Sequence, residues 1–551
     1  MASHVQADSG FFGMLNRSME SFPTWNSKMM QASMNEAEAF QMHWNGVLRY
    51  LSDFIGPSVV AAHCFSDMER EKTTLTPAPG VLGDYLELLQ FNTELGMKGF
   101  AGSLTSMLDH HLRHGSESFL AAFNTFCGGE GEDIADYTAR RASILNLVVN
   151  AYPRAIRDIK SEYGLHLDSG DYLKFAETER FELYQVLPLD KSVQVRENGK
   201  PVLIIPPYVL GPNILAFLPG ENRSYVHCFA NYGSPTYIRI PKDIDITPAV
   251  QLMTGEDDAL DTRTFCELVM ARHGRPVTLN GFCQGGFIAV VDLLSGELDG
   301  LVDALITCVA PMDGSRSKSL VEYIQYLPPR FRDLGYAVKS LPNGNRVVDG
   351  KVMSWVYKLK SIDAEAPLVS FYKDLSMFQQ PAGRPMKIGS TAAAINHWMI
   401  YDRKDLPLAV TQMSFESYTR PVDRDGNLPV RLFGRTLNFK RIKEKGVKWL
   451  ICIAEKDDLI DEPATLAPLD YVEAEVSVFP KGHGAIATSW SLPTSECALH
   501  TCFCPKSTRF SDKCRGPVLY HLDLDAASVN GLDMMHSVRN DDSGFPIDDI
   551  R

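Results

Sequence analysis

The sequence predicts an α/β fold, in which a mostly parallel β-sheet is covered by helices and follows a helical N-terminal region. Two observations predict it. From about residue 180, short apolar runs rich in β-branched residues alternate with longer helical stretches, which is typical of parallel strands joined by crossover helices. Within this part, a glycine-rich turn around Cys283 joins one such run to an apolar helical stretch.

Seven of these runs are predicted as strands because they are short, apolar and bounded by turn-forming residues. They lie at residues 181–187, 202–205, 237–240, 277–279, 304–309, 449–453 and 476–479. Strands that alternate with helices imply a sheet that is buried on both faces.

The N-terminal part follows a helical period. Residues 1–75 are predicted as an amphipathic helical segment, since apolar residues from Trp25 to Phe54 recur at spacings of three, four or their sums. We expect Pro57 to interrupt this helix. The apolar stripe has two interpretations: a face packed on the rest of the protein, or an exposed face for a partner or a hydrophobic granule. The other predicted parts are a helical domain over 76–175, the α/β domain over 176–490 with an inserted cap at about 315–440, and a C-terminal tail over 491–551.

Composition excludes several classes of protein. The chain has 551 residues, 45% of them hydrophobic, and a net charge of −14. A nucleic-acid partner is not expected, because phosphate binding needs a basic surface. The first residues lack the basic and apolar regions of a secretory signal, and no apolar stretch is long enough to span a membrane. We therefore expect a cytoplasmic protein without a transmembrane segment, whose 11 cysteines are mostly free thiols.

The strongest motif is the segment G-F-C-Q-G-G at 281–286, placed between an apolar strand and an apolar helical stretch. This is the context of the nucleophile elbow of the α/β-hydrolase fold, a sharp turn that presents a nucleophile at a helix N-terminus. Gly281 and Gly285 are expected where a Cβ would collide with neighbouring backbone. A lone cysteine is ordinarily a small buried apolar residue. Here the context favours Cys283 as a nucleophile, since a helix N-terminus favours the thiolate form.

An acid and a histidine should follow the nucleophile in chain order. The strand at 449–453 ends in an acidic turn, from which we assign Asp457, with Asp458 as the alternative. The strand at 476–479 ends in a Pro/Gly loop that carries His483. In these roles His483 takes the proton of Cys283, and Asp457 orients and stabilises the imidazolium. A solvated acidic turn and a structural histidine are the plainer interpretations, but the order and placement favour a triad.

Two backbone N–H groups are predicted to stabilise an oxyanion. The N–H of Gln284, directly after the nucleophile, points at the reacting atom. The second donor should come from a loop early in the sheet, and after the strand at 202–205 the candidate is the N–H of Val209.

With these residues in place, the sequence resembles the polyhydroxyalkanoate (poly-3-hydroxybutyrate) synthase family over roughly residues 175–490. The motif at 281–286 is similar to the family's lipase-like box, in which cysteine replaces serine. Asp457 and His483 fall on the family's acid and histidine. Further similar segments lie at 181–189, 201–209, 214–222, 402–407 and 432–442, while residues 399–400, Asp458 and Gly484 depart from the family's pattern.

The resemblance implies an acyltransferase that moves (R)-3-hydroxyacyl groups from coenzyme A to Cys283 and polymerises them into a polyester. Cysteine suits this reaction, because a thiolate exchanges readily with a thioester and the acyl-enzyme stays reactive toward a hydroxyl. The resemblance also implies an acyl-CoA substrate, a homodimer, and a polyester granule surface as a further location of the cytoplasmic protein. It implies no metal and no other cofactor.

Two other functions stay open. A hydrolase of the same fold, either a polyhydroxyalkanoate depolymerase or a thioesterase, would use the same residues with water in place of the hydroxyl. A granule-binding homologue that has lost turnover would use the apolar N-terminal stripe as its working surface. In the tail, Cys497, Cys502 and Cys504 lie close together, but a second ligand pair is missing and no zinc site is predicted.

Overall fold

The computed structural model describes residues 4–75, 79–128, 131–325, 332, 334, 337–358, 366–378 and 388–489. The predicted C-terminal tail and its cysteines lie outside these residues. Contacts divide the chain into two compact units. A helical unit is formed by Met1–Val60, Leu82–Asp158 and Lys358–Ala393, and an α/β unit by Ala61–Val81, Ile159–Tyr357 and Ala394–Arg551.

The elements are numbered in chain order. The described helices are α1 (His4–Leu75), α2 (Pro79–Cys127), α3 (Ile134–Asn146), α4 (Tyr152–Asp158), α5 (His227–Ala230), α6 (Pro248–Gln251), α7 (Gly255–His273), α8 (Gln284–Ser295), α9 (Lys318–Gln325), α10 (Gly350–Lys358), α11 (Pro367–Met377), α12 (Ser390–Tyr401), α13 (Leu408–Thr419), α14 (Lys440–Glu444), α15 (Glu462–Thr465) and α16 (Ala485–Ser489). The described strands are β1 (Tyr172–Glu177), β2 (Phe181–Val186), β3 (Val202–Ile205), β4 (Thr236–Pro241), β5 (Val277–Phe282), β6 (Val302–Cys308), β7 (Val338–Ser340), β8 (Arg346–Val348), β9 (Leu406–Pro407), β10 (Asn427–Leu432), β11 (Arg435–Asn438), β12 (Lys448–Ala454) and β13 (Glu475–Phe479).

The α/β unit is built on an eight-stranded sheet of order β1-β2-β4-β3-β5-β6-β12-β13. β2 pairs antiparallel with β1 and β4, and the other five pairs of neighbours in this sheet, from β4-β3 to β12-β13, are parallel. This order and the sharp turn after β5 define the α/β-hydrolase fold, which confirms the predicted fold class. All seven predicted strands lie on strands of this sheet. The central strands β3 and β5 are buried along their whole length, as a sheet covered on both faces requires.

The sequence pattern did not predict β1 or the small sheets of the insertion. β1 is mostly exposed or half-buried, with Tyr172 as its one buried residue, so it lacks the apolar run that marks the central strands. After β6 the chain leaves the main sheet and returns at β12. Between them lie helices and two small sheets, β7-β8-β9 and β10-β11, in the region predicted as a cap. One segment of that region, Lys358–Ala393, belongs by its contacts to the helical unit.

The core of the helical unit is formed where α1, α11 and the stretch from α3 to α4 meet. Val47, Val148, Tyr152 and Phe371 are among its buried side chains. Gly46 allows close contact here, because a Cβ at that position would lie 2.6 Å from the Phe371 ring. Part of the apolar stripe of α1, including Val47, is therefore packed in this core.

Other members of that stripe are exposed, since Phe40 and Trp44 lie at the surface. Pro57 lies inside α1, so the predicted interruption is wrong. A proline removes one N–H donor and crowds a carbonyl of the preceding turn, but a long helix can continue through it. None of the described helices is long and apolar enough to cross a membrane.

A buried ion pair joins the sheet to the helices that cover it. Arg239 on β4 is 1% exposed, and its Nη1 lies 2.5 Å from Oδ1 of Asp258 on α7. Asp292 on α8 lies 3.9 Å from the same Nη1. Burial and the neighbouring Asp258 raise the pKa of Asp292 well above its usual range. Asp292 is therefore held uncharged, and Asp258 is the counter-ion of Arg239.

We predict that Arg239→Met destabilises the α/β unit by about 3–5 kcal/mol, because it leaves the Asp258 carboxylate buried without a counter-ion. The measurement is the midpoint of urea unfolding. The matched control is Arg263→Met on α7, whose ion pairs with Glu267 and Glu297 are at the surface, and it should leave the midpoint nearly unchanged. Equal shifts in the two variants would contradict the assignment of Arg239 to the core.

Candidate active site

Cys283 is the single residue between the end of β5 and the start of α8. Its backbone has φ 52° and ψ −126°, a region that non-glycine residues rarely occupy and that concentrates at functional sites. Two hydrogen bonds hold it there: its N–H donates to the Cys308 carbonyl at 2.8 Å, and its carbonyl accepts from the Gly286 N–H at 2.9 Å. The turn thereby places Cys283 at the N-terminus of α8.

Glycines make this turn possible. A Cβ on Gly281 would lie 2.4 Å from the Gly285 carbonyl oxygen, and one on Gly285 would lie 2.2 Å from the Ile205 carbonyl oxygen. Both obstacles are backbone, which cannot turn aside as a flexible side chain can. The predicted steric role of Gly281 and Gly285 is confirmed.

His483 and Asp457 meet in the loops after β13 and β12. Nδ1 of His483 lies 2.8 Å from Oδ2 and 3.1 Å from Oδ1 of Asp457. Oδ1 of Asp457 also accepts the N–H groups of Leu459 and Ile460, at 3.0 and 2.9 Å, which fixes the carboxylate. Of the two acids left open by the sequence, Asp457 therefore contacts the histidine.

The other side of the imidazole faces the cysteine. Nε2 of His483 is buried and makes none of the hydrogen bonds found among the described residues. Burial alone would lower the pKa of His483, but Asp457 and Cys283 outweigh burial and hold that pKa well above its usual 6.5. The ring of Phe282 packs edge-on against the imidazole, with centroids 5.7 Å apart. The structure thus brings Cys283, His483 and Asp457 together, with an imidazolium favoured between two potential anions.

The sign of the pH dependence follows from this raised pKa. His483 keeps its proton at neutral pH and releases it only as the pH rises toward the raised value. Its contribution to folding stability is fully present below the usual pKa of 6.5 and is lost as the pH rises through the folded-state pKa.

The two predicted oxyanion donors differ in their surroundings. The backbone N–H of Gln284 opens α8 and makes no hydrogen bond found in the described part of the chain. The N–H of Val209 instead donates to the side-chain Oε1 of Gln284, at 3.0 Å. The amide of Gln284 also reaches Ser414 on α13. Sequence analysis missed Ser414, because a contact between elements this far apart in the chain leaves no pattern in the sequence.

The site is nearly closed. Cys283 is 7% exposed and His483 is 9% exposed. The surface cavities described in the α/β unit lie elsewhere, near the C-terminal end of α8, where Leu294 and Arg441 line both of them. Among the described residues, the groups that could do chemistry are therefore shielded from bulk water.

Comparisons with known proteins give only distant likenesses. No protein-family model and no curated protein matches the sequence. Among solved structures, the carboxylesterase CesB (YbfK) from Bacillus subtilis is 11% identical, with 62% of this chain and 93% of that chain covered and a TM-score of 0.31. The esterase RhEst1 from Rhodococcus sp. ECU1013 is 11% identical, with 58% and 94% covered and a TM-score of 0.28. DcsB in complex with its substrate analogue is 14% identical, with 58% and 92% covered and a TM-score of 0.32.

Likenesses at these identities and TM-scores assign neither substrate nor activity. The class of the protein follows from its own sheet order and turn. The chain has the α/β-hydrolase fold, with a cysteine at the position of the nucleophile and a histidine and a carboxylate beside it.

We predict that Asp457→Asn lowers the pKa of His483, because the imidazolium loses its nearest counter-ion. In protein labelled with ¹⁵N-histidine, the His483 ring should be doubly protonated at neutral pH in the unmodified protein and mostly neutral in the variant. Acylation of Cys283 should fall roughly a hundredfold or more.

The matched control is Asp458→Asn, since that side chain is exposed and no hydrogen bond found among the described residues joins it to His483. In this variant His483 should titrate as it does in the unmodified protein. A His483→Gln variant identifies the signal. The same His483 titration in all Asp457 and Asp458 forms would show that Asp457 does not set the protonation of the histidine.

Proposed function

We propose that this protein is an acyltransferase that loads (R)-3-hydroxyacyl groups from coenzyme A onto Cys283 and joins them into a polyester. The observation that carries the proposal is the cysteine elbow beside the His483–Asp457 pair in a nearly closed site. The resemblance of the sequence to polyhydroxyalkanoate synthases supplies the substrate class.

In the first step, the Cys283 thiolate attacks the thioester carbonyl of the acyl-CoA. The oxyanion that forms would accept a hydrogen bond from the backbone N–H of Gln284 and would be stabilised by the positive end of the α8 dipole. The carbon–sulfur bond to coenzyme A then breaks, and His483 donates its proton to the leaving thiolate. The products are free CoA and an acyl-Cys283 thioester.

In the second step, the 3-hydroxyl of another acyl unit or of a chain end attacks that thioester. His483, now neutral, takes the hydroxyl proton, and Asp457 stabilises the imidazolium that results. The bond to Cys283 breaks, an ester forms, and the thiolate–imidazolium pair is restored. Each cycle lengthens the polyester by one unit.

Water competes with the hydroxyl in this second step. The low exposure of Cys283 and His483 supports transfer to a hydroxyl, because a site that excludes water protects the acyl-enzyme from hydrolysis. A depolymerase or thioesterase would use the same three residues and would have to admit water. A thioesterase would therefore share the first step with the acyltransferase and differ in its product, whereas a depolymerase would attack an ester of the polymer in its first step.

We predict that the purified protein releases CoA from (R)-3-hydroxybutyryl-CoA and forms polymer. Cys283→Ala should lower CoA release by roughly a thousandfold or more, since it removes the nucleophile. Cys127→Ala, which changes another free and partly exposed cysteine, is the matched control and should keep full activity. CoA release is followed with a thiol reagent, and polymer and free 3-hydroxybutyrate are quantified separately.

Each outcome decides between the candidates. Free acid in place of polymer would establish the hydrolase. No CoA release from folded protein, with this substrate or a longer acyl chain, would overturn the acyltransferase and the thioesterase. If the protein also releases no 3-hydroxybutyrate from poly-3-hydroxybutyrate, the depolymerase is overturned as well and the granule-binding homologue is favoured.

The exposed face of α2 supports a second part of the proposal. Its exposed large apolar side chains recur about every three or four residues along the helix, and include Leu82, Leu86, Leu89, Met97, Phe100, Leu104, Leu108, Leu112, Phe119, Phe123 and Phe126. A patch of this size marks an interaction surface. Because α2 carries more acidic than basic residues, an anionic membrane is disfavoured. We propose that this face binds the uncharged polyester product.

We predict that Leu108→Glu weakens binding to poly-3-hydroxybutyrate particles roughly tenfold, since burying a leucine side chain is worth about 1.5–3 kcal/mol. Asn92→Glu adds the same charge at an exposed polar position of α2 and should bind normally. Co-sedimentation measures the affinity. Unchanged binding together with loss of a dimer in size-exclusion chromatography would assign the face to the predicted homodimer instead.

A further inference from the structure

The side chain of Gln284 is buried at the elbow, and both its oxygen and its nitrogen are hydrogen-bonded. It is 2% exposed. Its Oε1 accepts the backbone N–H groups of Tyr208 and Val209, at 3.1 and 3.0 Å. Its Nε2 donates to Oγ of Ser414 at 2.9 Å, and Ser414 in turn donates to the Val410 carbonyl of α13. One amide thus connects the loop after β3, the elbow and a helix of the insertion.

Two N–H groups converge on one oxygen here, at distances that the donors of an oxyanion hole also keep. Donors in such a site lie about 2.7–3.1 Å from the position of the anionic oxygen, and the distances to Oε1 of Gln284 match this range. The N–H of Val209 is the donor expected to hold the oxyanion. In this structure the Val209 N–H donates instead to the uncharged side-chain oxygen of Gln284.

The loop itself is anchored, so the side chain is the part that can give way. The Tyr208 hydroxyl donates to Asp258, and Asp258 pairs with Arg239. These three side chains are buried. Moving the loop would break a buried hydrogen bond to the Asp258 carboxylate, whereas moving the Gln284 side chain breaks only neutral hydrogen bonds.

We propose that Gln284 is a positioning residue that controls the second oxyanion donor through Val209. While its amide is tied to Ser414, the Val209 N–H is occupied and only the Gln284 backbone N–H can stabilise an oxyanion. When the link to α13 is released, the amide swings away and the Val209 N–H becomes available. This inference rests on the proposed acylation of Cys283, and it names Ser414 as the residue that sets how readily the donor is freed.

The test compares acylation of Cys283, which needs an oxyanion hole, with alkylation, which does not. p-Nitrophenyl acetate acylates a cysteine thiolate and releases p-nitrophenolate, so a single turnover is read as a burst. Iodoacetamide alkylates the same thiolate by displacing iodide. The ratio of the two rates reports the oxyanion donors separately from the folding of the elbow.

Ser414→Ala leaves Nε2 of Gln284 buried without its acceptor and should favour the released position. We expect the acylation-to-alkylation ratio to rise roughly tenfold. Gln284→Ala removes the occupant without touching α13, and the ratio should rise in the same direction. Gln412→Ala, at an exposed position of α13, is the control and should leave the ratio unchanged.

An unchanged or lower ratio in both Ser414→Ala and Gln284→Ala would overturn the proposal and would mean that Gln284 only supports the loop. Because the ester is a general acyl donor, this test does not depend on coenzyme A. A burst with p-nitrophenyl acetate but no reaction with (R)-3-hydroxybutyryl-CoA would refute the proposed substrate and still decide the role of Gln284.

Discussion

The site depends on one backbone constraint, the left-handed conformation of Cys283 between a buried strand and a helix. With φ at 52°, the turn is possible only because glycines at positions 281 and 285 allow a close approach of the α8 backbone to β5 and β3. The same approach puts the sulfur at the positive end of α8 and opposite the loops after β12 and β13. Backbone strain, a helix N-terminus and the imidazole are therefore brought to one atom by a single turn.

Burial then decides how charge is arranged around that atom. An isolated imidazolium would be disfavoured in a site this closed, but the fixed carboxylate of Asp457 and the nearby Cys283 reverse the effect on the pKa of His483. The same principle holds beneath the loop after β3, where Arg239 is tolerated in the core because Asp258 lies against it. Gln284 joins the two regions through neutral hydrogen bonds. The charged groups of the site are thus paired with one another, and the neutral amide is the part whose proposed movement breaks no ion pair.

The central fold and most of the site could be predicted because each reflects a local steric or hydrophobic requirement. The strands around Cys283 carry apolar runs, and the glycines report a close backbone approach. The choice between Asp457 and Asp458 could not be made from the sequence, since adjacent residues in a turn differ only in where they point. Ser414 was missed because its partner lies 130 positions away. Pro57 misled because a proline lowers helix stability without always ending a long helix. The features that the sequence did not predict are those that depend on tertiary contacts.

The most direct test of the account is to look for the acyl group on Cys283 itself. The protein would be mixed with (R)-3-hydroxybutyryl-CoA, quenched in acid within the first turnovers and digested, and the peptide that contains Cys283 would be analysed by mass spectrometry. The account predicts adducts of one or more 3-hydroxybutyryl units on Cys283 that neutral hydroxylamine removes, as it does a thioester. CoA release with Cys283 unmodified at every time point, and the acyl group on another residue or on none, would contradict the claim that this cysteine is the nucleophile.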